Sequence, residues 1–233
     1  MSENNRSIHN PITRFGYFLL FIISLLILWT LRATVLFSID ESIHSDLLRL
    51  VYSLVVKVVI WVLPVIGYLW IVDKNGPFRY LKLTTRTDKK GLAYAIIASA
   101  IYFSVTVAFD CFVSGKNLTS PSGFSSSEWL RLFLFLSFSP ISEEILFRGF
   151  ILAKLRERMS FWIANVVTTG LFVLIHWPNW LWRNGFQSWM IYTAGSISIL
   201  SLLLGWLVKK TQSLWPSIAV HTANNLLAYL LRA

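Results

Sequence analysis

The chain has 233 residues, 55% hydrophobic and 14% charged, with a mean hydropathy of +0.61 and a formal net charge of +10. A soluble domain of this length carries nearer a quarter charged residues, so the composition excludes an ordinary soluble fold and points to an all-α, polytopic transmembrane bundle built as one unit. The single cysteine, Cys111, excludes an internal disulfide and a thiolate metal centre. The basic residues lie in loops between apolar runs, so the positive charge reads as membrane topology and no nucleic-acid partner is expected.

Residues 1–14 read as a polar cytoplasmic tail, and 15–233 as the bundle. The first apolar run is too long for a signal segment and is followed by no small-residue cleavage site, so it is expected to stay as a span. About seven spans follow in order: Phe15–Phe37, Leu48–Val72, Gly91–Val113, Trp129–Lys154, Phe161–Trp177, Trp189–Val208 and Leu214–Leu231. Each is near the ~20 residues that cross a bilayer. The seventh is the most polar, and the stretch 117–127, rich in Ser, Gly and Pro, reads as an outside loop.

Alternate loops differ in charge. Arg6 and Arg14 precede the first span; Lys74, Arg79, Lys82, Arg86, Lys89 and Lys90 follow the second; Lys154, Arg156 and Arg158 follow the fourth; Lys209 and Lys210 follow the sixth. The intervening loops carry only Arg49, Lys116 and Arg183. This alternation predicts a multi-pass protein of the cell (plasma) membrane with its N-terminus cytoplasmic and its C-terminus outside.

Three polar clusters interrupt the later spans. Glu143, Glu144 and Arg148 lie in the fourth, His176 at the end of the fifth, and His221 with Asn224 and Asn225 in the seventh. Ionisable groups in hydrocarbon cost about 2.5–3.5 kcal/mol each on insertion scales, and mark functional sites by default. Glu144 and Arg148 are four apart and are expected to pair, which leaves Glu143 without a partner on its own helix. Pro140 is expected to kink or restart the helix, with Ser139 as a cap. Helix rise puts Glu143 and His176 at similar depths and His221 less deep. Carboxylate, imidazoles and carboxamide suit amide hydrolysis: a base for water, and donors for a developing oxyanion. The same residues permit a divalent ion such as zinc, held by Glu143, His176 and His221, although no cofactor is favoured. A polar-lined transporter or proton relay through Lys57, Asp110 and the Glu pair is the alternative.

In ordered set, Glu143-Glu144-x-x-x-Arg148, Phe172-x-x-x-His176 and His221-x-x-x-Asn225 resemble the three motifs of the CPBP family, which includes type II CAAX prenyl endopeptidases and bacteriocin-immunity (ABI) proteins. The resemblance covers about the last hundred residues, 129–231. It implies an intramembrane endopeptidase in which Glu143 and His176 activate water, Glu144 and Arg148 support them, and His221 and Asn225 form an oxyanion site. It implies a protein or peptide substrate in or at the membrane. The family is labelled metalloprotease, yet these residues also permit metal-free glutamate catalysis. The compact chain points to a bacterial member, for which prenylated substrates are not expected; a non-catalytic immunity protein is the further alternative.

Overall fold

A computed structural model describes residues 11–112, 117–118 and 125–232. The elements are α1 (Pro11–Ala33), α2 (Phe37–Ser42), α3 (Asp46–Lys57), a π segment (Val58–Val62), α4 (Leu63–Ile71), α5 (Pro77–Tyr80) and α6 (Lys89–Phe112). After β1 (Asn117–Leu118) come α7 (Ser126–Glu144), a second π segment (Ile145–Ile151), α8 (Leu152–Arg156), α9 (Phe161–Leu174), α10 (Trp177–Asn184), α11 (Trp189–Thr211), α12 (Trp215–Leu230) and β2 (Leu231–Arg232). The fold is all-α apart from the two-residue antiparallel ladder of β1 and β2. Tail residues 1–10 with Arg6, and loop residues 113–116 with Lys116 and 119–124, lie outside the described residues.

Among the described residues, five helices are long and apolar enough to cross a membrane: Thr13–Ala33, Asp46–Ile71, Lys89–Phe112, Phe161–Asn184 and Trp189–Thr211. The fourth and seventh expected spans fall short for chemical reasons. The continuous helix from α7 to α8 carries Glu143, Glu144 and Arg148 in its middle, and α12 has only 16 residues. Neither needs a lipid-compatible surface there. All seven residues of the second π segment are buried, as are Ser142, Glu143 and Glu144 before it. By contrast α6 turns Ile96, Ile97, Ile101 and Val105 outward, each 58–64% exposed. One helix is wrapped in protein, the other in hydrocarbon.

Pro140 does not restart the helix. The helix runs through it, opened far upstream by a capping box in which Ser125 Oγ accepts from the Glu128 N–H and Glu128 accepts from the Ser125 N–H. The irregularity falls instead at the π segment after Glu144; a matching one follows Lys57. Such π insertions are common at functional sites.

The loops sort to two ends. At one, the Tyr68 hydroxyl reaches the Arg14 carbonyl, Tyr80 donates to Glu157 at 2.8 Å, Lys82 Nζ donates to Gln212 at 2.8 Å, and the Trp215 indole donates to the Leu83 carbonyl at 2.8 Å. Burial and the Glu157 charge push the Tyr80 phenol far above its ordinary pKa, so it stays a donor. The basic loops therefore share one face. At the other, Arg131 pairs with Asp46 at 2.8 Å, the Arg183 guanidinium covers Phe37 at 4.1 Å, and β1 meets β2. Residues 231–232 thus lie opposite the start of α1, as an odd number of crossings requires.

Candidate active site

The site lies where α3, α7 and α12 meet, closed behind by α9 and α11. Glu144 is its sealed part, with no exposed surface. Its Oε1 accepts from Arg148 Nη1 at 2.8 Å and from His221 Nδ1 at 2.9 Å, and its Oε2 takes a short bond from Ser217 Oγ. Arg148 is itself enclosed. Its other amino group donates to Ser201 Oγ at 2.7 Å and to the Ser201 carbonyl at 3.2 Å, and its guanidinium lies 4.6 Å from the Phe172 ring centre. Thr169 and Ser201 share a further hydrogen bond of 2.8 Å. Phe172 also meets Phe147, His176 and His221 edge-on at 5.0, 5.2 and 5.9 Å. An aromatic ring there seats both imidazoles and the guanidinium.

Glu143 points about 100° away from Glu144 and is 7% exposed. Lys57 Nζ lies 2.6 Å from its Oε1 and also donates to Ser139 Oγ, which in turn donates to Oε1 at 3.1 Å. The second oxygen, Oε2, faces His221 Nε2 at 3.6 Å. His176 lies between α9 and α10, donates Nδ1–H to the Phe172 carbonyl at 2.8 Å, and lies within electrostatic reach of Glu143.

Three expectations change. Lys57, named only in the relay alternative, reaches across from α3 to Glu143, which therefore has a partner on another helix. Ser139 lies within the helix and hydrogen-bonds Glu143 instead of capping. His221 is not too shallow. The depth count started every helix at one plane, whereas Ser213 and Leu214 are fully buried and the Leu214 N–H is held by the Lys82 carbonyl, so α12 starts inside the protein.

The structure brings Glu143, Glu144, Arg148, His176 and His221 together. It does not place Asn225 in their hydrogen-bond network: Asn225 sits one turn beyond His221, half-buried, with no hydrogen bond among the described residues. Asn224 accepts from the Tyr102 hydroxyl at 2.8 Å. The oxyanion-donor role expected of His221 requires its imidazolium form. When neutral, its Nδ1 donates to Glu144, and Nε2 is an acceptor. Asp110, which the relay alternative joined to Lys57, lies on α6 against Tyr192 of α11, in a separate contact.

Zinc is tested by the donor set. Both histidines engage Nδ1 and leave Nε2 free, as metal-binding imidazoles do. The remainder does not fit. An ammonium occupies one oxygen of Glu143, and among the described residues no three His, Cys, Asp or Glu side chains form a ligand group.

Residues 125–227 match the family model described as type II CAAX prenyl endopeptidase Rce1-like. This segment is similar to Rce1-like domains, and that family is one of intramembrane proteases. The match includes all three motifs and leaves α1 to α6, with Lys57, outside it. No curated protein and no solved structure matches the chain.

Proposed function

We propose that the protein is an intramembrane endopeptidase that hydrolyses a peptide bond without a metal, using Glu143 as general base. The observation carrying this reading is the pair of acceptors, Glu143 Oε2 and His221 Nε2, 3.6 Å apart. One water can donate a hydrogen to each, which leaves its lone pairs toward a carbonyl carbon. As the water oxygen bonds to that carbon, its proton passes to Glu143. The C–N bond then breaks, and Glu143 returns the proton to the leaving nitrogen. Asn225, with an unengaged amide near His221, is the oxyanion donor. His176 flanks Glu143 as a second imidazole. Lys57 and Ser139 fix Glu143 Oε1, so only Oε2 meets the water. Arg148, Ser217 and Glu144 fix the tautomer of His221.

The substrate is a peptide or protein segment at the membrane, and the protein sits in the plasma membrane with its N-terminus cytoplasmic, a placement supported by the basic end of the bundle. The test compares membrane proteomes of cells carrying the parent or Glu143→Gln protein, followed by turnover of the substrates found. The Gln oxygen still accepts from Lys57, so the fold is expected to persist while the rate falls about 10²–10⁴-fold. Near-parental turnover by the variant would place the base elsewhere. Parent activity is expected to survive chelation; one zinc per chain, with activity lost on its removal and restored on its return, would replace the metal-free mechanism.

A further inference from the structure

At the end opposite the basic loops, a cavity of about 320 Å³ opens between α3, α7 and α12, lined by Leu50, Glu128, Arg131, Leu132, Phe135 and Tyr229. These three helices also carry Lys57, Glu143 and His221. Helical spacing puts mouth and site on common stripes. Leu50 and Lys57 are two turns apart on α3. Phe135, Ser139 and Glu143 succeed one another on α7, as Tyr229, Asn225 and His221 do on α12. No residue of α3 is fully buried. Thr222 Oγ1 donates to the Leu136 carbonyl at 3.1 Å and fixes the spacing of two of the walls.

Toward the other end the packing is tight, apart from a cavity of about 30 Å³ lined by Arg148, Lys82 and Arg156 that is too small for a peptide. Between Glu144 and the basic loops lie the fully buried π segment, with Phe147 and Phe150, then Leu152 and Leu155; Leu214 and Ile218 close the α12 side. From Phe135 to Glu143 the helix rises about 12 Å. An extended chain covers that distance in about four residues, whereas a helix is ~10 Å wide.

We infer that the substrate reaches Glu143 through this crevice, from the membrane face opposite the basic loops, as an extended polypeptide segment about four or more residues clear of any fold. With the basic loops cytoplasmic, that segment is extracytoplasmic. The inference rests on the protease reading and adds the side and the shape of its substrate.

The test uses the full chain with Cys111→Ser, and a membrane-impermeant maleimide on right-side-out and inside-out vesicles. Leu50→Cys and Phe135→Cys place thiols at the mouth; Gly76→Cys, exposed at the basic end, is the reference. Both mouth thiols are expected to react in the vesicle orientation in which Gly76→Cys does not. The adduct is expected to lower Glu143-dependent cleavage of a quenched fluorescent peptide pool at least tenfold. Reaction in the same orientation as Gly76→Cys, no reaction in either, or undiminished cleavage after labelling would overturn the route. Absence of Glu143-dependent cleavage in the Cys111→Ser parent would instead count against the protease reading, and the labelled side would still decide which face the crevice opens to.

Discussion

Glu143 and Glu144 are consecutive residues in two unlike regions. Around Glu144 both oxygens are bound, by Arg148, His221 and Ser217, and no solvent reaches it. Around Glu143 one oxygen is held by Lys57 and Ser139 while the other faces an imidazole at non-bonded distance. A carboxylate with both oxygens bound and no access to solvent has little left for chemistry; it is a fixture that orients its neighbours. A carboxylate held by one oxygen, beside a crevice, is placed to receive a proton. The 100° turn between adjacent helix positions is what lets one dipeptide serve both regions. If this division is right, changes around Glu144 affect stability first, and changes around Glu143 affect rate first.

The largest separation is expected from Arg148→Ala. Arg148 is buried and bound to Glu144 and Ser201, so its loss strands the Glu144 charge in the core. Breaking one side of a buried pair costs about 3–5 kcal/mol. The melting temperature should fall well below that of Glu143→Gln. Equal melting temperatures would show that Glu144 is not the structural member of the pair.

How far the sequence foretold this division depends on where each partner comes from. Glu144–Arg148 and Phe172–His176 are four apart on single helices, so the helical period alone puts each pair on one face. Their roles as one cluster were legible too, because polar groups in apolar spans have few other places to go. Lys57 was not legible as the partner of Glu143. It lies 86 residues away on a helix outside the motif segment, and its place in the chain suits a snorkelling lysine equally well. Ser201 and Ser217 gave no signal, since serine is unremarkable in a span until an arginine or a carboxylate is found against it. The gathering of the basic loops at one end was readable from charge alternation. The buried start of α12 was not, because it depends on the Lys82 carbonyl meeting Leu214 across the bundle.

Lys57→Met tests the Glu143 side. The side chain keeps its length and loses its charge, and Glu143 Oε1 keeps only Ser139. A misplaced base costs on the order of 10²-fold in rate. That loss should fall on kcat with KM little changed, and Lys57→Arg should recover part of it. A loss confined to KM, or a melting temperature as low as that of Arg148→Ala, would mean that Lys57 props up the fold and does not aim the base.

The smallest change is expected from Ser217→Ala, which touches Glu144 from the far side of the same carboxylate. It removes one donor from Oε2 and leaves Arg148 and His221 on Oε1. A hydrogen bond to a charged group is worth about 1.5–3 kcal/mol, and the lower figure applies because the two remaining contacts keep the carboxylate in place. Thermal unfolding should therefore register a modest loss of stability. Turnover should change less than tenfold, because His221 keeps its Nδ1 partner and its Nε2 still faces Glu143. Set beside Lys57→Met, the two substitutions should move rate and stability in opposite proportions. A Ser217→Ala protein that is fully stable yet strongly impaired would mean that Glu144 takes part in the proton transfer, and that the two glutamates form one reacting unit.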